Sequence, residues 1–481
     1  MARPGWNENN AAYVSPLVER YASPEMAAIF SARRKFGAWR RLWVELASAQ
    51  RALGLPIRAS QVRQMRAKAD AIDFAAARRW ERRLRHDVMA HIRAYGEQCP
   101  AARGIIHLGA TSAYVVDNAD LVLAREAMDR IETLLANLID ALAKFAARHA
   151  DRVCVAYTHL QPAQFTTVGK RACLWIQDFL DDLEDLRERR RRLPFLGVKG
   201  ATGTQASFLK LFDGNEAKVR RLEARVARAF GFERVLPVSG QTFPRKIDAR
   251  IMATLTGTAL SAHKMTNDLR LLQHLGEVLE PAGSEQVGSS AMAYKRNPML
   301  AERAASLARL VVALGQTAPW TAATQWFERT LDDSAARRVA IPEAFLAADG
   351  MLRVLIVVAR GLQVCPERIA RHAAENLATL ATEDVLMEGV RRGGDRQGLH
   401  ELIRRHARAV EAAGGREGDL WQRLRKERAF QWLPEQPTDF VDPRRFAGLA
   451  PSQAREFLRR QVAPLLRGAR ARLGMRVDVE L

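Results

Sequence analysis

Between Asp117 and His149 the chain contains neither glycine nor proline. Within that stretch Leu121, Ala124, Met128, Ile131, Leu135, Leu138, Leu142 and Phe145 recur at alternating spacings of three and four. A period near 3.5 residues held this long predicts one very long helix whose apolar seam needs a nearly parallel or antiparallel partner. Earlier, Phe36, Trp39, Trp43, Leu46 and Leu53 mark an amphipathic helix over 36–53 that Gly54 and Pro56 stop; its stripe reads as core. Long helical stretches follow over 165–193 and 246–275, and a third begins after Pro298, a residue suited to a first helical turn. Pro342 reads as the start of another helix, and Cys365-Pro366 as the end of the long-helix region. Shorter helices with the loops RRGGDRQG and AAGGREG come after it, and strand signals are nearly absent. The pattern predicts an all-α chain in three parts: a helical region over 1–111, a long-helix bundle over 112–364, and a helical region over 365–481. Helices this long carry more apolar surface than one compact core uses, so the seam is expected to pack between subunits.

The polar residues gather between these helices, in HLGATS (His107–Ser112), THLQPAQ (Thr158–Gln164), GVKGATGTQASF (Gly197–Phe208), SGQTFPRK (Ser239–Lys246) and GSSAMAYKRNP (Gly288–Pro298). Loops carried on a rigid helical scaffold are where sites are built, and these loops meet only if helices end together. Taken alone, His107 or His159 reads as an ordinary cap or loop histidine, and KGATGTQASF lacks the spacing of a phosphate-binding P-loop.

Composition narrows the function classes. At 481 residues and 48% hydrophobic the chain is globular. Lysine and arginine outnumber acids by 75 to 54, a formal charge of +21 that calls for anionic partners. The run RERRRR (Arg187–Arg192) lacks the interleaved aromatics that stack bases, so it reads as a solvated helix end rather than a nucleic-acid site. Four dispersed cysteines without a CxxC pair suggest neither zinc nor a disulfide framework. The start, MARPGWNENNAAYVSP, has no apolar h-region, and no stretch approaches a membrane span; a soluble, cytoplasmic protein is expected.

GSSAMAYKRNP resembles the signature loop of the fumarase/aspartase superfamily. RLRHDVMAH, HLGATS, THLQPAQ, KGATGTQASF and WFERTLDDS, in order along the chain, resemble the adenylosuccinate lyases within it. The resemblance implies a three-domain all-α fold with a long central bundle, carrying the signature loop at 284–298, shared in a homotetramer whose sites each draw on three subunits. It also implies a reaction: non-hydrolytic β-elimination of fumarate from adenylosuccinate, giving AMP, and from SAICAR, giving AICAR. No metal or organic cofactor takes part. The proton removed sits beside a carboxylate, so the carbanion must be held as an aci-carboxylate by cations and N–H donors set in advance, a task that suits Lys295 and the small-residue backbone of 288–291.

By the same resemblance Ser289 is the general base and His159 the general acid, a role that fits an imidazole titrating near about 6.5. Glu302 orients that imidazole from another subunit, and His86, the phosphate-side histidine, positions substrate. Arg20 with Tyr21, Arg85 with Asp87, Arg303, Arg329 and Arg338 match substrate-binding positions, where guanidinium forks suit carboxylates and phosphate. Thr111, Ser112, Gln241 and Ser334 supply neutral hydrogen bonds. Two features depart from the family pattern: Ala293 stands where the loop usually has proline, and +21 exceeds what a few binding arginines require. Argininosuccinate lyase or a cycloisomerase would share the bundle and the signature loop, and RYASPEM and RLRHDVMAH argue against both. A basic helical nucleic-acid-binding protein would fit only the charge. A silent structural tetramer would have no use for Ser289, Lys295, His159 and Glu302 together.

Overall fold

A computed structural model describes residues 13–283, 285, 287–414 and 417–479. The N-terminal stretch 1–12, Ser284 and Gln286 of the signature segment, and Gly415 and Arg416 of AAGGREG lie outside the described residues.

Helix α1, Ala32–Ala52, buries Trp39 and Trp43 as its stripe predicts. Shorter helices follow, among them α2 (Phe74–Leu84) and α3 (Asp87–Gln98), and then α4, Ser112–Arg148, an unbroken 37 residues. At 1.5 Å per residue α4 spans about 55 Å. The predicted seam is one face of it, and Leu121, Met128, Ile131, Leu135, Leu138, Leu142 and Phe145 are all buried by this chain's own helices. The expectation that the seam packs between subunits is therefore corrected. The chain folds back on itself four times, so each long helix covers its neighbour.

The returning helices are α5 (Val168–Arg191), α6 (Lys246–Leu275), α7 (Met299–Gly315) and α8 (Asp333–Gly361). α6 has the predicted bounds, and Gly276 ends it in a left-handed conformation at φ 71°. Pro342 does not start a helix; it lies inside α8, where it removes only the bond that its missing N–H would have given the Arg338 carbonyl. Most of the RERRRR run is ion-paired: Arg187 with Glu132, Arg190 with Asp129, and Arg191 and Arg192 with Glu188.

The stretch predicted to open a helix at Phe165 instead forms a hairpin. Strands β1 (Val153–Thr158) and β2 (Gln161–Thr167) pair antiparallel, with Thr158 opposite Gln161. His159 and Leu160 are its two-residue turn, not the approach to a helix. The hairpin has two sides: Val155 and Phe165 enter a second hydrophobic core with Leu377, Val385, Leu399, Trp421 and Phe430, while Cys154 joins the main core. A minimal pair, β3 (Val278–Leu279) with β4 (Gln363–Val364), ties the end of α6 to the end of α8.

This up-and-down order sorts the connections onto two ends of the bundle. The starts of α4, α6 and α8 share one end, joined where Arg245 meets Asp117 and Asp333. The hairpin, the end of α6, the start of α7 and β4 share the other, joined where Arg171 and His372 meet Glu277.

Candidate active site

At the first end lies a cleft of about 640 Å³. Arg85 ends α2 in a left-handed conformation, φ 54°, and turns the chain sharply so that His86 caps α3. Its Nδ1 accepts from the Met89 N–H at 3.4 Å, which leaves the proton on Nε2, 3.4 Å from Ser112 Oγ at the start of α4. Asp87 receives Arg338 Nη2 of α8 at 3.2 Å. Arg329 and Ser334 complete the lining on the segment before and at the start of α8. Arg85, His86, Asp87, Ser112, Arg329, Ser334 and Arg338, all named from sequence, therefore surround one cavity. Thr111 is the N-cap of α4 beside it, and Gln241 lies at the edge, its N–H bonded to the Glu328 carbonyl at 2.9 Å. Gly240 permits that approach, since a Cβ there would come within 2.5 Å of the Glu328 carbonyl oxygen.

The floor is a buried charge network that sequence reasoning missed. Arg245, lying over the Phe243 ring at 4.5 Å, donates to both oxygens of Asp117 at 3.0 and 3.3 Å and to Asp333 at 2.6 Å. Arg337 donates to Asp248 at 2.6 Å and pairs with Asp120 at 3.2 Å. Burial works to lower the Arg337 guanidinium, but Asp248, Asp120 and Asp117 outweigh it and hold it above its ordinary range. These four acids are held by the two buried arginines. The lining's six lysines and arginines are matched by six acids, but Lys35, Arg85 and Arg329 have no ion-pair partner among the described residues and are free to meet an anionic ligand. Among the described residues no group of three His, Cys, Asp or Glu side chains is arranged to hold a metal ion.

His159, Ser289, Lys295, Glu302 and Arg303 are all at the opposite end. His159 and its neighbour Leu160 both adopt positive φ, 54° and 60°, the requirement of the tight hairpin turn that normally recruits Asn-Gly. For non-glycine residues this is strained, and the imidazole is left exposed. Ser289 Oγ accepts two backbone N–H groups, from Ala291 at 3.3 Å and Met292 at 3.1 Å. Asn297 Nδ2 donates to the Gly288 carbonyl at 2.7 Å, closing the segment on itself. Gly288 is needed there, because a Cβ would fall 2.1 Å from the Lys295 carbonyl oxygen. Lys295 and Ala293 are exposed; Glu302 is exposed in the first turn of α7, beside half-buried Arg303. No hydrogen bond or ion pair among the described residues joins His159, Ser289, Lys295 and Glu302 to one another.

Arg20 and Tyr21 occupy a third place. They end a π-helical turn, Leu17–Tyr21, packed on the middle of α8, where Arg353 Nη1 donates to the Tyr21 carbonyl at 2.8 Å. His107 faces no cleft: Trp43 donates to its Nδ1 at 2.8 Å and burial pushes it down to about 4, so it is a neutral core acceptor.

The lyase family's sequence model matches residues 55–313, and that of the adenylosuccinate lyase C-terminus matches residues 379–457. The adenylosuccinate lyase of Saccharomyces cerevisiae is 48% identical over 456 residues, covering 94% of this chain and 95% of that protein. The one from Schizosaccharomyces pombe is 46% identical, covering 95% and 96%. Among solved structures, a 3-carboxy-cis,cis-muconate lactonizing enzyme from Pseudomonas putida superimposes with a TM-score of 0.80 at 26% identity, covering 91% of this chain and 96% of that one.

Proposed function

The chain belongs to the adenylosuccinate lyase family, and on that premise we propose that it eliminates fumarate from adenylosuccinate, leaving AMP, and from SAICAR, leaving AICAR, in sites assembled between subunits of a homotetramer. The observation that carries the division of the site is the length of α4. About 55 Å of rigid helix separates Ser112 and the cation-lined cleft from the hairpin that bears His159. No loop adjustment within one chain spans that distance, so a site needing both ends takes them from different copies.

In the reaction Ser289 removes the proton from the carbon beside the carboxylate, the electron pair moves to that carboxylate, and the carbon–nitrogen bond then breaks with protonation of the nitrogen by His159. Two N–H donors on Ser289 Oγ support the first step, because they favour an oxygen carrying negative charge. Lys295 stabilises the doubly charged carboxylate, and Glu302 orients the imidazole. Arg85, His86, Asp87, Thr111, Ser112, Gln241, Arg329, Ser334 and Arg338 hold phosphate and carboxylates, with Arg20, Tyr21 and Arg303 contributed from other places in the assembly. Association has apolar surface to use: Leu174, Leu260, Leu271 and Leu310 are exposed on α5, α6 and α7.

Two measurements test this. The chain should consume adenylosuccinate in a spectrophotometric assay; no turnover would sink the chemistry. His86→Ala and Ser289→Ala, each inactive, should recover roughly a quarter of wild-type activity after subunit exchange, since half the cleft ends and half the loop ends are then intact and combine at random. Absence of recovery with exchange demonstrated would mean that one chain supplies both ends.

A further inference from the structure

Helix α7 starts without a cap of its own. Its N-cap is Pro298, which has no side-chain acceptor, and the preceding Asn297 is already engaged with Gly288. The next residues, Leu300 and Ala301, are buried, so their N–H groups have no water to turn to. Glu280, 20 residues earlier, fills both vacancies: Oε1 accepts from Leu300 and Oε2 from Ala301, each at 2.9 Å.

Glu280 is itself fixed. Its N–H donates to Gln273 Oε1 at 3.0 Å, its carbonyl accepts from Arg296 Nη2 at 3.3 Å, and Gln273 Nε2 donates to the Arg296 carbonyl at 3.0 Å. The end of α6, β3, Arg296 and the first turn of α7 are thereby closed into a ring. Everything between Glu280 and the helix start carries Ser289 and Lys295, and the residue after the capped pair is Glu302.

We propose that Glu280 is a positioning residue for the reaction: its carboxylate fixes where α7 begins, and so sets Lys295 and Glu302 in the geometry the elimination needs. The activity arm of this inference rests on the function proposed above; the structural arm does not.

The test uses the full-length enzyme and two variants. Glu280→Gln keeps the shape but turns an amide N–H toward the Ala301 N–H, and Glu280→Asp keeps the charge but is too short to serve both donors. The first should lower kcat by about ten- to a hundredfold, the cost of misplacing reacting groups by up to about an ångström, with KM within about threefold. The aspartate variant should fall between it and wild type, and it carries the test if the glutamine variant does not fold. Amide hydrogen exchange at Leu300 and Ala301 should quicken in both while the middle of α7 is unchanged. Wild-type kcat alongside faster exchange would make Glu280 a structural cap only, and unchanged exchange would mean that the ring does not hold in solution; either overturns the proposal. A wild-type enzyme inactive on adenylosuccinate would instead sink the proposed reaction, leaving the exchange data to decide the ring.

Discussion

The two ends of the bundle are built in opposite ways. At the cleft end, Arg245 and Arg337 are sunk among four aspartates, and above them His86 is bonded to Ser112 and Arg338 to Asp87. At the loop end, His159 and Lys295 stand in the open, one on a strained turn and the other on a loop that Asn297 closes on Gly288. On the proposed reaction, the buried network lies beneath the side chains that would grip the substrate's charges, and the open groups are those that would move protons. A residue meant to serve another subunit's site cannot already be satisfied within its own.

The sharpest way to break this contrast is to substitute at the loop end. His159→Ala and Ser289→Ala should each lower kcat by about 10²- to 10⁴-fold, as expected for loss of a general acid or base, while urea midpoints stay at the wild-type value. A variant that loses stability along with activity would contradict the exposure argument.

At the cleft end the order of effects reverses. Asp333→Ala leaves Arg245 buried with only Asp117, and breaking such a pair costs about 3–5 kcal/mol. A clear fall in the urea midpoint is expected, and an unchanged midpoint would mean that the network contributes nothing to the fold.

Between the ends, Asp182 on α5 tests whether the middle of the bundle tolerates charge. Burial pushes its carboxyl up to about 7 against a hydrogen bond from Ser261, with Asp178, Asp185 and Asp181 adding to the rise. From the ordinary aspartate range of about 3.9 up to that value, the unfolded chain has released a proton that the native chain retains, so stability falls as pH rises through the window. Asp182→Asn should therefore raise the melting temperature more at pH 8 than at pH 5; an equal gain at both would dismiss the titration.

The smallest effect belongs to the hairpin turn. Leu160→Gly should stabilise by up to about 1 kcal/mol by relieving the positive φ, with kcat retained. Lower stability would show that the turn is not strained.

Much of this was legible in the sequence, for identifiable reasons. The seam of α4 and both bounds of α6 follow from periodicity and a terminal glycine, which are local signals. The hairpin was not legible, because its turn reads His-Leu instead of Asn-Gly and Pro162 stands inside a strand. Pro342 misled because a proline inside a helix looks the same in sequence as one in a first turn. The motif residues around the cleft were found through resemblance, but Lys35, Asp117, Asp120, Asp248 and Arg337 were not. They lie on four different helices, and only the folding together of those helices brings their charges to one place. The seam was read correctly and its neighbour wrongly, since periodicity tells that a face is covered and not by which chain.

The unbroken length of α4 also limits how this protein can change in size. Deleting one residue between Leu121 and Phe145 would turn everything beyond it by about 100° and draw it in by about 1.5 Å, rotating the buried face to the surface. Removing seven residues nearly restores the rotation but shortens the span by about 10 Å, and α5, α6, α7 and α8 would each have to lose the same length for the two ends to stay in register. Insertions and deletions should therefore accumulate in the connections and the outer helices, and leave the five-helix span at a fixed length.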